Sequence, residues 1–184
     1  MKNWKNLFQI LYKKESEKMQ NEVYKLLNLL NIKYTKVEHP PVFTCEDNKK
    51  YNIKFDAMIC KNLFIRNSNK SHYYVISLPL EKRIDLKYLQ VELEETRLSF
   101  ADENSLKGKL GIKTGAVSIF NIINLKDKNV FFILDEEILT YKKVGFHPNI
   151  NTETVIFDPK EIKKIFDYYN VKYTFKKIFF ECCI

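Results

Sequence analysis

Ala57-Met58-Ile59-Cys60-Lys61-Asn62-Leu63-Phe64-Ile65, then the turn Asn67-Ser68-Asn69-Lys70, then the run from His72 to Pro79 decide the fold. Two apolar runs flank a short polar turn, which predicts an antiparallel hairpin over 57–65 and 72–79. Further strands are expected at 116–120, 130–135 and 153–157, the second of them after the turn Lys126-Asp127-Lys128-Asn129. Short helices fit 44–51, 85–94 and 102–110. Strands interspersed with helices define an α/β (α+β) class built on a mixed sheet.

The ends of the chain frame this centre. Trp4, Leu7, Phe8, Ile10 and Leu11 recur at helical spacing, so residues 1–19 read as an N-terminal helical extension to a domain spanning 20–184. A second helix over 20–30 puts Val23, Leu26, Leu27 and Leu30 on one face. Asn31 suits the left-handed position after it, and the strand Ile32–Glu38 follows until His39-Pro40-Pro41 stops it. Asp158-Pro159-Lys160-Glu161 starts another helix, with Asp as N-cap and Pro in the first turn. That helix runs to Tyr169, ends at Asn170, and gives way to the strand Val171–Phe175. The segments 31–35 and 170–174 echo each other, one local solution used twice.

Composition bounds the function. Hydrophobic residues are 45% of 184, enough for one core, and four Gly with five Pro leave little for flexible linkers. No apolar run reaches membrane-spanning length. Cys45, Cys60, Cys182 and Cys183 form no CxxC pair, so neither a zinc knuckle nor a secreted disulfide framework is indicated, and a reduced, cytoplasmic setting is expected. The net charge of +8 favours a polyanion such as RNA, although a lysine-rich coding bias gives the same charge.

Three features carry chemistry. Lys61 interrupts an apolar strand, on one face with Ile59, Leu63 and Ile65. It is either presented to a pocket, awaiting an anion or a polarised carbonyl, or it snorkels from an edge strand. His147 lies in Gly145-Phe146-His147-Pro148-Asn149-Ile150-Asn151-Thr152, where proline fixes the backbone; a loop-capping role competes with a functional one. Gly108, Gly111 and Gly115 punctuate 108–118, and glycine turns expose backbone N–H groups suited to an oxyanion. His39 reads as a structural corner and His72 as exposed. No GxSxG, HExxH, Walker A or dinucleotide fingerprint occurs.

Five stretches acquire meaning together: Val37-Glu38-His39-Pro40-Pro41-Val42-Phe43-Thr44, Cys60-Lys61-Asn62-Leu63-Phe64, Arg97-Leu98-Ser99-Phe100-Ala101, Gly115-Ala116-Val117-Ser118, and Phe146-His147-Pro148 with Asn151-Thr152. In this order they resemble the YbaK/prolyl-tRNA synthetase-associated family of aminoacyl-tRNA editing domains, most closely its free-standing ProX/PrdX-type branch, over roughly residues 20–176. The resemblance implies a mixed sheet wrapped by helices. It implies a deacylase that hydrolyses mischarged proline tRNA, typically carrying alanine, without metal or organic cofactor. Relatives prefer cysteine. Mischarged tRNA is the implied partner, prolyl-tRNA synthetase a second one; no membrane is involved, and the oligomeric state stays open.

Carried over by position, Lys61 matches the essential lysine that holds the terminal adenosine and phosphate or polarises the ester. Asn62 matches its neighbour, and His147 the histidine near the aminoacyl group. Gly115 opens the glycine loop, and Ala116, Val117, Ser118, Phe146, Asn151 and Thr44 are the remaining candidate substrate contacts. The sequence departs from the family at Ile119, where proline is usual, and at Asn121, where glycine is. That departure keeps a second reading alive, a tRNA-binding or amino-acid-sensing module with impaired hydrolysis, and substrate preference stays open between alanine and cysteine. The task suits a second pocket: a synthetase site that fits proline rejects a smaller residue by only about 1–3 kcal/mol.

Overall fold

The computed structural model describes residues 17–41, 54–112 and 114–178. The expected helix at 44–51, Thr44, and most of the N-terminal extension lie outside these. Helix α1 covers residues 17–29 without a break at 19/20, and Val23, Leu26 and Leu27 are its buried face. Strands β1 (Tyr34–Glu38), β2 (Met58–Asn67) and β3 (Tyr73–Pro79) follow. Then come α2 (Leu86–Glu92), β4 (Leu98–Phe100) and α3 (Glu103–Ser105), which runs on as a π turn to Leu110. The second half holds β5 (Val130–Asp135), β6 (Val144–Phe146), β7 (Glu153–Phe157), α4 (Ile162–Tyr169) and β8 (Tyr173–Lys176).

The strands form one mixed sheet in the order β1-β7-β6-β2-β3-β5-β8, with β4 also on β2. The β2–β3 hairpin is antiparallel, as expected, while β2–β6, β3–β5 and β5–β8 are parallel. One face buries the larger core, where α1, α4 and the segment 119–122 pack on Phe64, Val75, Phe132 and Phe157. The other carries a smaller cluster of Ile65, Tyr74, Ile76 and Leu78 under Leu89 of α2. Helices therefore wrap both faces. Asn31 (φ 53°) and Asn170 (φ 49°) both take the left-handed conformation after their helices, so the echoed segments do share a local solution. Their strands differ: β1 pairs antiparallel with β7, β8 parallel with β5.

The strand expected over 116–120 does not form. Ser118 instead caps a 3-10 helix, Ile119–Asn124: its hydroxyl accepts from the Phe120 N–H, and the Asn121 side chain accepts from the Ser118 N–H. This reciprocal capping box overrides the β-branched run Val117-Ser118-Ile119. His72 is not simply exposed either. Its ring bonds Glu95, which also accepts from Asn67 (2.9 Å) and Tyr74 (2.6 Å) and so ties the hairpin turn to the segment after α2.

Candidate active site

The edge of β2 opposite β3 carries β6 at Met58 and Ile59 and β4 at Ile65–Asn67. Between them, at Cys60–Leu63, no described strand pairs with that edge. Lys61 and Asn62 stand in this gap. The parallel register sets Ile59 beside Gly145; two residues on come Lys61 and His147, which by alternation continue that face. Gly145 is what lets β6 lie so close, because a Cβ there would stand 2.6 Å from Ile59 Cδ1 and 2.8 Å from Thr154 Cγ2.

Lys61 is half-buried, and its ammonium makes no ion pair or hydrogen bond with any described residue. A partly desolvated ammonium with no counter-charge is a binding element for an anion or a carbonyl oxygen. Asn62 points to the larger core, where its Oδ1 accepts from Ser77 Oγ (2.6 Å); its Nδ2 is buried with no partner. Such an unspent donor costs about 1–3 kcal/mol.

His147 caps the open end of β6. Its Nδ1 lies 3.1 Å from the Glu153 carbonyl oxygen, so Nδ1 carries the proton and Nε2 keeps its lone pair. Burial pushes its pKa below the ordinary histidine value; the Glu153 carbonyl partly opposes this and nearby His39 adds to it. The imidazole is therefore neutral at neutral pH. His39 packs edge-on against the ring at 6.1 Å and is itself held by Thr154 Oγ1 at 3.0 Å. Glu153 in turn accepts from Tyr24 of α1 and pairs with Lys36 at 2.8 Å, which fixes α1 and β1 behind the histidine.

The glycine loop meets the histidine turn directly. Gly115 (φ 87°) is exposed in a conformation that side chains disfavour, and Ala116 and Val117 are half-buried against the larger core. Ser118 is fully buried and donates from Oγ to the His147 carbonyl (2.6 Å). The structure thus brings together His147, Ser118 and the loop from Gly115, with Lys61 on the face of His147. Phe146 is fully buried and stacks on Phe157, supporting the site from the core. Asn151 is half-buried in the turn before β7, and Thr44 lies outside the described residues. Sequence reasoning missed three neighbours: His39 as a packing partner, Asn121, and Asn149, 2% exposed. The bonds His39–Thr154 and Asn121–Asn149 join positions 115 and 28 apart, beyond the reach of local spacing.

Among the described residues no group of three or more His, Cys, Asp or Glu side chains is placed to hold a metal ion. No described helix is long and apolar enough to cross a membrane. Fold and site together define a helix-wrapped mixed-sheet domain in which a neutral histidine meets a clamped glycine loop, and a lysine with no described counter-charge stands on the strand beside them. The model of the aminoacyl-tRNA editing domain matches residues 39–165, and the chain belongs to that family. It is 37% identical to the prolyl-tRNA editing protein ProX of Acetoanaerobium sticklandii, over 76% of this chain and 85% of that one. It is 30% identical to prolyl-tRNA synthetase associated domain-containing protein 1 of Mus musculus, over 78% of this chain and 86% of that one. A solved structure of a candidate trans-editing enzyme for prolyl-tRNA synthetase shares the fold, with a TM-score of 0.62, 18% identity, and coverage of 86% of this chain and 96% of that one.

Proposed function

We propose that the protein is a trans-editing deacylase that hydrolyses the ester of mischarged proline tRNA, with alanyl-tRNA(Pro) as its main substrate, and that residues 20–184 are the editing domain. The observation that carries this reading is the ammonium of Lys61, half-buried with no counter-charge among the described residues and, by alternation, on the face of His147, in a chain of the editing-domain family. Lys61 holds the terminal adenosine and its phosphate or polarises the ester carbonyl. Backbone N–H groups of the loop opened by Gly115 orient the ester and the attacking water. Water adds to the carbonyl carbon, the carbon–oxygen bond to the terminal ribose breaks, and the ribose oxygen leaves with a proton. An aminoacyl ester is already activated, so positioning carries most of the task and the protein needs no metal.

His147 Nε2, an acceptor in a neutral ring, suits a contact to the substrate's α-ammonium and so a role in choosing the amino acid. Proline tRNA and its synthetase are the proposed partners, in the cytoplasm. The test is a panel of alanyl-, cysteinyl- and prolyl-tRNA(Pro) incubated with the pure protein. Alanyl ester should disappear fastest and prolyl ester should persist. Preference for cysteinyl ester would reassign the substrate, and binding without hydrolysis of any ester would leave a tRNA-binding module.

A further inference from the structure

The 3-10 helix after the glycine loop begins on two residues that depart from the family pattern, Ile119 and Asn121, and the second of these holds the site together. Asn121 is fully buried. Its Oδ1 accepts from the Ser118 N–H at 2.7 Å. Its Nδ2 donates twice, to the Ala116 carbonyl (3.1 Å) inside the glycine loop and to Asn149 Oδ1 (2.8 Å) in the turn after His147. Asn149, in the left-handed conformation at φ 63°, returns a bond from Nδ2 to the Phe120 carbonyl (3.3 Å). Ser118 Oγ closes the circuit on the His147 carbonyl. Both donors of the Asn121 carboxamide are used, and its partners lie on two separate segments, the glycine loop and the turn after His147.

We propose that Asn121 is a positioning residue for ester hydrolysis: its carboxamide locks the loop 115–118 to the turn 147–149 and so sets the loop's backbone N–H groups relative to the imidazole. This rests on the deacylase reading above. The clamp also replaces a ring. Position 119 is the first residue of the helix after the Ser118 cap, where proline would fix φ without losing a needed N–H. Isoleucine supplies no such restraint, and its side chain is instead buried in the core. The Asn121 side chain holds the backbone instead, accepting from the Ser118 N–H and donating to the Ala116 carbonyl, and its third bond reaches the Asn149 side chain.

Asn121→Gly removes all three bonds and Asn121→Gly/Ile119→Pro adds back a covalent restraint. Two readouts are followed: single-turnover deacylation of alanyl-tRNA(Pro), and amide hydrogen exchange of the protein alone. In Asn121→Gly, exchange should quicken at 115–118 and 147–149 while the β2–β3 hairpin stays protected. The rate at saturating substrate should fall at least about tenfold with KM within about threefold. The double variant should regain loop protection and most of the rate. Unchanged protection in Asn121→Gly overturns the clamp whatever the activity, and a wild-type rate with the loop loosened overturns the positioning role. Protection lost across the whole sheet, or a double variant with a protected loop and no gain in rate, assigns Asn121 to stability alone. If the wild type hydrolyses no ester but the loop alone loosens, the clamp stands and the deacylase reading fails.

Discussion

The ammonium of Lys61 sits half-buried at a gap in strand pairing, with no described counter-charge. Lys61→Ala should therefore slow alanyl-tRNA(Pro) hydrolysis at least about tenfold, about 1.4 kcal/mol of transition-state stabilisation, and leave the melting temperature close to wild type. A wild-type rate would remove Lys61 from the site. His147 behaves differently, because it is neutral and held through Nδ1. His147→Ala should change the ratio of alanyl to cysteinyl hydrolysis more than it changes the faster of the two rates; equal slowing would indicate a general catalytic role. The sign of its pH effect follows from its depressed pKa. The ring protonates only below the ordinary histidine value, so activity that depends on neutral Nε2 persists through neutral pH. It is lost as pH falls through the folded-state pKa, and His147→Ala should lack that limb. The oddness of Lys61 was legible in sequence, since a lone cation interrupts an apolar period-2 run. The neutrality of His147 was not, because it comes from burial and from nearby His39, which only the fold supplies.

At the scale of elements, the hairpin was readable because alternation and the Asn-Ser-Asn turn pointed the same way, and α4 because Asp158, Pro159 and Asn170 mark its ends. The segment 116–120 was misread because Val117 and Ile119 favour a strand locally, whereas Ser118 and Asn121 impose a cap. The loop is held by that cap, so Ile119→Pro alone should change deacylation by less than about tenfold. A hundredfold gain would instead mark the natural protein as an impaired editor. The short strands β4 and β6 were also invisible: three residues each, they exist because β2 offers an edge. β6 depends on Gly145, and Gly145→Ala should cost about 1–3 kcal/mol by forcing aside Thr154, the partner of His39. Equilibrium denaturation checks this, and an unchanged midpoint would contradict it. The hairpin turn depends on Glu95. Burial alone would raise its pKa, but hydrogen bonds from Tyr74, Asn67 and His72 outweigh that and hold it at about 2. Its stabilisation is complete above the ordinary carboxylate range and is lost as pH falls toward 2. Glu95→Ala should cost about 1–3 kcal/mol at neutral pH and flatten that acid limb.

For the whole molecule, the sheet sets β2 beside β6, and a capped loop packed on the larger core is bonded to the turn after β6. The class of fold followed from the order of elements; the candidate site took shape only once parallel pairing set Ile59 beside Gly145, from which alternation continues to Lys61 and His147. The net charge of +8 acts at this scale too. Binding of uncharged tRNA(Pro) should weaken steeply as salt rises, because phosphate contacts release counterions, and a flat response would favour a small-molecule site. The central claim is selective ester hydrolysis, and the measurement that tests it most directly is kcat/KM for alanyl-tRNA(Pro) against prolyl-tRNA(Pro) at equal protein concentration. Rapid loss of the alanyl ester is expected, with a prolyl ester that decays near its spontaneous rate; equal hydrolysis of the two, or of neither, would contradict that claim.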